Sequence, residues 1–527
     1  MLAAARRCDF LHCGHNDASP ILDSTGAAVE PDFRRHRPSA LIPALALAHG
    51  PSRKKEVTTV EIDAPADKVW GVIGNYRDMS WHPAIASAEV TPGELKKEVT
   101  KRKLTFKSGA VFTDTLTRYD PATRTLAFLT NDEDLKTLPV EGYSSTFTVT
   151  DDAGKAKVEW KGAFYRGYMN NDPPPELSDE AAQKAIAAFQ KEGLDDLKAK
   201  LRRKVIGVRH RGRRTNLLAV AVLVVSLAPA ARGDQAREAF VTNQLSNTIG
   251  VVDLAAQRQV AEIVVSGAPA GVAMSPTGDF AYITAPDGRE LIAIDAALRA
   301  VAWRLNVGEG PLGIAVNPPT GVIYVANWYG DEIVAVDPGR KAIVNRVKVG
   351  RAPSGLAVTP DGALLISADR ESDAISLIDT KAMQRLGEVK VGTHPFGLAI
   401  EPDGKRAFIA NVISNDVTII DLATRKVTAT LSVGTRPYGI AFAGGKAFVT
   451  NQGSGSVSVF GTADLNLIAT VRVGDYPEGI AATDDGSAVY VACWSDNVFV
   501  RIDAATLAVT GKTEVGDGPR AFGKFLR

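Results

Sequence analysis

Apolar and polar positions follow two different patterns along the chain. From about residue 235 onward, short apolar runs alternate with polar turns of Gly, Pro, Asp and Asn. One unit reads Gly397-Leu398-Ala399-Ile400, a Pro402-Asp403-Gly404 turn, and Ala407-Phe408-Ile409-Ala410-Asn411. A polar loop, Val417-Thr418-Ile419-Ile420-Asp421 and a last run at 426–433 complete it. β-branched residues in the runs and turn formers between them predict four short strands per unit.

The unit recurs. Gly308-Glu309-Gly310-Pro311-Leu312-Gly313 has counterparts at 350–355, 392–397, 434–439 and 474–479, with degenerate copies at 267–271 and 516–521. The prolines are Pro269, Pro311, Pro353, Pro395, Pro437, Pro477 and Pro519, at intervals of 42, 42, 42, 42, 40 and 42. Seven copies of a four-stranded unit predict a seven-bladed β-propeller. A helical solenoid would need 3.6-residue patterning, which is absent here. The region opens in a second strand, 239–243, and closes in a first strand, 520–525. The final strand is therefore expected to pair beside the first and close the ring, leaving no free edge.

Residues 53–203 do not repeat. An alternating strand at 57–62 precedes a helix start at 64–70, with Pro65 early; strands are expected at 104–106, 111–119, 125–130, 143–150 and 157–165. The stretch 175–203 reads as a helix with a stripe of Ala182, Ile186, Phe189, Leu194 and Leu197. Strand, helix, antiparallel sheet and long helix make an α+β domain. The fold class expected is thus two-domain: an α+β domain followed by an all-β seven-bladed propeller.

Two family resemblances accompany these patterns. Phe-Val-Thr-Asn at 240–243 and 448–451, with Tyr-Val-Ala-Asn at 324–327, resembles the YVTN β-propeller repeat. That family is mostly extracytoplasmic, and some members accompany pyrroloquinoline-quinone-dependent alcohol oxidation. Val69-Trp70, Trp81-His82-Pro83-Ala84, the run 158–168 and Asn170-Asn171-Asp172-Pro173-Pro174-Pro175-Glu176-Leu177 resemble MxaD-type accessory proteins of bacterial methanol oxidation. Those belong to the START-like (SRPBCC) helix-grip superfamily, whose sheet wraps the last helix around an apolar cavity. The resemblance implies a cavity bordered by Trp70, Trp81, His82, Tyr143, Trp160, Phe164 and Tyr165.

The 61 Lys and Arg balance 60 Asp and Glu, for a net charge of +1; a nucleic-acid binder would carry a basic excess. Three cysteines, Cys8, Cys13 and Cys493, cannot form a disulfide framework. Export signals are more informative. Basic residues at 202–214, an apolar run at 217–230 and Ala228-Pro229-Ala230 form a secretory pattern. The run is short for a spanning helix, which needs about 20 residues; a buried linker helix is the other reading. A weaker signal-like segment lies at 34–48. The organisation expected is a leader at 1–52, the helix-grip domain at 53–203, a basic linker with the apolar segment at 204–234, and the propeller at 235–527. Both mature domains are expected in the periplasm, with a tether or transient membrane contact through 217–230. Two signals in one chain suggest that two exported proteins have been joined.

Candidate chemistry is sparse. Cys8, His12, Cys13 and His15 are metal ligands by type but lack a scaffold. No Cys-x-x-Cys-His occurs, so no c-type haem is attached. Asp253, Asp295, Asp337, Asp379, Asp421 and Asp503 recur at blade period. They are either a carboxylate ring for a metal or turn residues bonding their own backbone, and the turn reading is favoured. His82 is either an acid–base group or a packed histidine.

The propeller loops offer more. Before the prolines stand Ala268, Gly310, Ala352, His394, Arg436, Tyr476 and Gly518; after them stand Ala270, Leu312, Ser354, Phe396, Tyr438, Glu478 and Arg520. The loops joining second and third strands share that face and carry Trp328, Tyr329 and Trp494. A constant framework with variable loops suits recognition, and Trp, Tyr and Arg are the residues of binding hot spots. The face candidates are Trp328, Tyr329, His394, Phe396, Arg436, Tyr438, Tyr476, Glu478, Trp494 and Arg520. No catalytic residue, metal or cofactor is assigned. The function expected is a non-enzymatic periplasmic accessory protein of quinoprotein alcohol oxidation. It would bind the dehydrogenase, its cytochrome or a small apolar ligand. The alternatives are a metal-dependent propeller hydrolase or lyase, and an envelope structural protein.

Overall fold

The computed structural model describes residues 53–97, 99–168, 173–202 and 238–527. The signal-like segments at 34–48 and 217–230, the Cys8 to His15 cluster and Asn170-Asn171-Asp172 lie outside the described residues.

The N-terminal domain is one antiparallel sheet gripping a helix. Its strands are β1 (Lys54–Ile62), β2 (Ile85–Val90), β3 (Lys101–Phe106), β4 (Val111–Asp120), β5 (Thr125–Asn131), β6 (Val140–Asp152) and β7 (Lys155–Arg166). Their order across the sheet is β1-β7-β6-β5-β4-β3-β2. Helix α1 (Ala66–Ile73) follows β1, and α2 (Asp179–Arg202) packs against β1 and β7. The expected helix at 175–203 is interrupted: Pro175–Leu177 forms a single 3-10 turn, and Ser178 restarts the chain. The Ser178 hydroxyl accepts the Ala181 N–H at 3.2 Å, a serine N-cap. The sequence reading omits β2, because Ile-Ala-Ser-Ala-Glu-Val is only weakly alternating.

The rest is a seven-bladed propeller. Six sheets have four strands, and the seventh has three: β8 (Glu238–Asn243), β9 (Thr248–Asp253) and β10 (Arg258–Val264). The C-terminal residues supply that blade's missing first strand. The Phe240 N–H donates to the Phe525 carbonyl at 3.0 Å, Arg527 N–H to Glu238 O at 2.9 Å, and Arg520 N–H to Thr242 O at 2.8 Å. The ring closes as the repeat phase implies.

In six of the seven repeat motifs the residue two after the proline is a glycine, for a steric reason; the seventh has Ala521. A Cβ on Gly271, Gly313, Gly355, Gly397, Gly439 or Gly479 would collide with backbone of the adjoining blade. In each the nearest atom is a carbonyl oxygen, for example Ser354 O beneath Gly313 and Tyr438 O beneath Gly397. At these six positions the inner strands converge so tightly on the axis that a Cβ does not fit, whereas the closing blade accommodates Ala521.

Candidate functional site

Three equivalent positions per blade build one end of the central channel. The first is the residue before the proline. All seven have left-handed backbone, with φ from 52° at Ala352 to 67° at Gly518. A non-glycine residue there costs about 1 kcal/mol, and a hydrogen bond from the preceding blade secures it. Asn247, Asp331, Asp373, Asn415 and Asn497 accept the backbone N–H of Ala268, Ala352, His394, Arg436 and Gly518 at 2.8–3.1 Å. These Asx residues also lie at positive φ, a conformation Asn and Asp tolerate. Arg289 and Gly455 occupy the same turn position in the other two blades; neither side chain has a carboxylate or amide.

The second position is the residue after the proline, an inner ring of Ala270, Leu312, Ser354, Phe396, Tyr438, Glu478 and Arg520. The third directly follows the second strand: Gln244, Pro286, Trp328, Arg370, Val412, Gln452 and Trp494. Residues from all three rings line a cavity of about 200 Å³ at the channel mouth. Its opposite wall belongs to the N-terminal domain, through Glu141, Gly142 and Tyr165.

The cavity has two sides. Leu312, Phe396, Val412, Tyr438, Ala270 and Phe522 pack as one apolar cluster with Trp328 against it. Phe396 stacks on Tyr438 with ring centroids 4.2 Å apart. The polar side is a buried network. Glu478 accepts from Arg520 Nε at 2.8 Å and from Gln452 Nε2 at 2.8 Å, and Arg520 Nη2 donates to the Tyr438 hydroxyl. Burial disfavours the charged guanidinium of Arg520, but the Glu478 carboxylate outweighs it, so its pKa is raised. Burial pushes the Tyr438 phenol well above its usual value. Beside this network Gln244 is 2% exposed, and neither of its amide atoms has a partner.

The N-terminal domain docks on the same face. Lys55 Nζ donates to Asp517 Oδ1 at 2.7 Å, Asn497 Oδ1 at 2.9 Å and Trp494 O at 3.4 Å. Lys161 Nζ donates to Ser495 O at 3.1 Å, and Arg118 lies 3.7 Å from Asp475. The Arg53 guanidinium sits 3.1 Å from the Tyr476 ring centroid and 5.1 Å from that of Trp494, a cation–π stack. Gly142 has φ of 61° and packs directly on Arg436.

The structure thus brings the ten face candidates together, but not as an exposed surface. Phe396, Tyr438, Tyr476, Glu478, Trp494 and Arg520 are buried, while Trp328, Tyr329, His394 and Arg436 are half-buried. The expectation of free hot spots is corrected: Tyr476 and Trp494 are engaged by this chain's own Arg53 and Lys55.

The helix-grip candidates also differ from expectation. Trp81, His82, Tyr143, Trp160 and Phe164 are core residues in ring-to-ring contact. Trp160 lies 4.4 Å from Phe147 and 6.0 Å from Trp81, centroid to centroid. Trp70 is half-buried and stacks on Tyr119. Of the seven, Tyr165 lines the cavity at the propeller mouth. His82 accepts the Ala84 N–H at Nδ1 at 3.1 Å, so its Nε2–H donates to Phe189 O at 2.9 Å. Burial lowers its pKa to about 4; it is a neutral packed histidine.

The periodic aspartates cap turns. Asp253 Oδ1 accepts from Ala255 N and Ala256 N at 2.9 and 2.8 Å, and Asp503 Oδ1 accepts from Ala505 N and Thr506 N at 3.1 and 2.8 Å. No group of three His, Cys, Asp or Glu suited to a metal occurs among the described residues. Cys493 is buried, which raises its thiol pKa. No helix among the described residues is long and apolar enough to cross a membrane.

The third ring is what sequence reasoning largely missed. It named Trp328 and Trp494 but not Gln244, Pro286, Arg370, Val412 or Gln452. The signal was available, since these residues recur at the blade period immediately after the second strand.

Residues 54–202 match the family model described as polyketide cyclase / dehydrase and lipid transport. The N-terminal domain is SRPBCC-like. No curated protein matches the chain. Among solved structures, hydrazine synthase of Kuenenia stuttgartiensis is similar over 54% of this chain and 99% of that one, at 20% identity and a TM-score of 0.47. A functionally unknown protein from Desulfotomaculum acetoxidans DSM 771 has the same coverage and TM-score at 14% identity.

Proposed function

We propose that this protein is a non-enzymatic binding protein in which the SRPBCC-like domain closes the propeller mouth over a small ligand. The observation that carries the reading is the cavity shared by the two domains, lined by Leu312, Trp328, Phe396 and Tyr438 of the propeller and by Glu141 and Tyr165 of the N-terminal domain. Concave, mostly apolar sites with few polar groups are the usual form of ligand pockets. The inner ring's carboxylate, Glu478, is engaged by Arg520 and Gln452, which favours binding over catalysis.

The finer reading is an accessory role in periplasmic quinoprotein alcohol oxidation. Its support is the MxaD-like run at 158–168 together with the YVTN-like repeats. The signal-like segments at 34–48 and 217–230 support export. Contact between the two domains requires both on one side of the membrane. Cell fractionation with N-terminal sequencing tests this. Both domains are expected in the periplasmic fraction; an intact cytoplasmic chain of 55.9 kDa overturns the accessory role. Co-purification with a periplasmic quinoprotein dehydrogenase is the positive result.

A further inference from the structure

We infer that the end of the central channel opposite the mouth is a second binding site, a blind apolar well that takes the linear aliphatic chain of an amphiphile and leaves its polar head at the rim. The inference is independent of the reading of the mouth, because the two cavities share no lining residue.

Three observations lead there. The first is size and shape. The well has a volume of about 560 Å³, within the roughly 300–1,000 Å³ of ordinary ligand sites, whereas the mouth cavity, about 200 Å³, lies below that range. In the fifth blade, counting β8–β10 as the first, residues 397–402 border it in succession. At about 3.3 Å per residue that is a depth of up to roughly 17 Å. The volume spread over that depth is a bore about 6 Å across, deeper than it is wide. The inner end is shut: Phe522 borders the well and packs with Leu312, Phe396 and Tyr438 of the mouth.

The second observation is the wall. The residues five after the prolines are Met274, Val316, Val358, Ile400, Phe442, Ala482 and Lys524, and all seven border the well. One position nearer the mouth stand six alanines and Gly523, among them Ala315, Ala357 and Ala399. These small residues keep the bore open below its closed end. The polar side chains on the border, Glu401, Thr483, Asp484 and Lys524, stand at the rim. Glu401 accepts from Arg406 Nε at 2.6 Å, the Thr483 hydroxyl donates to Asp485 at 2.6 Å, and Asp484 lies 3.5 Å from Lys524. Inside that rim every bordering residue is apolar or glycine. Ligand pockets with such walls hold the apolar part of a molecule.

The third is a notch in the rim, and it explains the one irregular interval of the repeat, the 40 residues between Pro437 and Pro477. The loss falls in the first turn of blade six. Pro437 precedes Asn451 by 14 residues, against 16 from Pro395 to Asn411 in blade five. Ala443 pairs with Lys446 across Gly444-Gly445, whose φ of 52° and 70° make a two-residue hairpin. Beside this short turn runs a groove of about 240 Å³, lined by Gly444, Gly445, Lys446, Asp485 and Gly486. Glu401, Phe442, Thr483 and Asp484 border both the groove and the well, so the two are continuous. Lys446 and Lys524 stand with Asp484 and Asp485 at this exit. The notch therefore seats a polar head without selecting the sign of its charge.

The test is isothermal titration of the full chain with hexanol, octanol and decanol, and with 1-adamantanol as a compact alcohol. Affinity is expected to rise about fourfold for each added methylene, the effect of burying one more CH₂. Adamantanol is expected to bind about tenfold more weakly than decanol, since it buries less of its surface in a narrow bore. Decanol carrying a diazirine at the chain end, photolysed and mapped by mass spectrometry, is expected to label Val358, Leu398 or Phe522. Val358→Trp fills the bore and is expected to abolish decanol binding. Lengthening the Gly444-Gly445 turn by two residues fills the notch and is expected to weaken decyl maltoside while sparing decanol. The wild-type series and the label decide the matter even where a variant fails to fold. Equal binding of adamantanol and decanol overturns the linear chain. Label on Leu312 or Val412 puts the chain in the mouth, which overturns the well and leaves the reading of the mouth standing. Decyl maltoside unaffected by the longer turn overturns the seat of the head. Binding of none of the alcohols means that the well holds only water, and this inference falls while that of the mouth is untouched.

Discussion

Lys55 and Asp517 form a 2.7 Å ion pair across 462 residues of sequence. The Lys55 side chain is 7% exposed and lies over the Trp494 ring, 4.9 Å from its centroid. Burial lowers its pKa, and Asp517 opposes that shift. Lys55→Ala is expected to weaken docking of the two domains by about 1–3 kcal/mol, because Asn497 and Asp517 lose a charged donor. Hydrogen exchange at 494–497 should accelerate in the variant. Unchanged protection there would show that the pair contributes nothing to docking.

Buried His82 makes stability depend on pH. Its folded pKa is about 4, against an ordinary 6.5, so between these values the unfolded chain binds more protons. Stability is therefore full above pH 6.5 and is lost as pH falls toward 4, by about 3 kcal/mol. Chemical denaturation at pH 7 and pH 4.5 measures the loss. His82→Phe should flatten the profile of the N-terminal domain; an unchanged profile assigns it to other groups.

Gly193 sits on α2 where a Cβ would collide with the His82 ring and touch Trp160 at 3.0 Å. On helix propensity alone, Gly193→Ala would stabilise by about 1 kcal/mol. Overpacking reverses the sign, and the expected result is a loss of about 1–3 kcal/mol. Thermal unfolding of the variant settles which effect prevails.

Arg102 and Asp114 are charged residues within the N-terminal core. Arg102 Nη2 lies 2.6 Å from Asp114 Oδ2, with side chains 2% and 1% exposed. The Thr130 hydroxyl donates to Asp114 at 2.8 Å, and the guanidinium lies 4.4 Å from the Tyr76 ring centroid. Asp114→Ala leaves a buried cation and should cost about 3–5 kcal/mol. Replacing both, Arg102→Met with Asp114→Leu, should recover most of it. Urea unfolding of the single and double variants measures both effects.

Gly397→Ala tests ring convergence. The new methyl would meet the Tyr438 carbonyl of the next blade, so soluble yield and melting temperature should fall sharply. Gly445→Ala isolates backbone strain from steric collision, because Gly445, unlike Gly397, has a positive φ of 70° and has nothing within 4 Å. It should be much milder.

The propeller was legible because its turns are chemical: Pro-Asp-Gly and Gly-x-x-Pro-x-Gly leave a period that survives divergence between blades. Ring closure followed from the repeat phase alone. The N-terminal cavity was not legible in the same way. Trp81, Trp160 and Phe164 would read alike whether they faced a ligand or, as here, one another, because composition does not record which rings touch. Docking was invisible for a related reason. Arg53, Lys55, Tyr476 and Trp494 are ordinary surface types until the folds bring them together. Gln244 was overlooked as a polar loop residue, although its place after the second strand matches that of Trp328 and Trp494.

The Asx hydrogen bonds between blades form a hoop around the mouth, and their distribution gives it mechanical direction. Five of the seven junctions carry the bond. The two without an Asx side chain, Arg289 before Gly310 and Gly455 before Tyr476, fall between the second and third blades and between the sixth and seventh. They divide the rim into two stiff jaws, one of blades three to six and the other of blades seven, one and two. These two joints are held instead by contacts such as Arg289–Glu309 at 3.5 Å and the Thr450 hydroxyl donating to Glu478 O at 2.9 Å, so opening the mouth there, like a clip, means breaking those contacts. Leu312, Trp328, Phe396 and Val412 ride on one jaw, and Gln244, Glu478 and Arg520 ride on the other. Opening would thus draw the apolar wall away from most of the polar one and stretch Thr450–Glu478, Gln452–Glu478 and Arg520–Tyr438, hydrogen bonds that run from blade six to the other jaw.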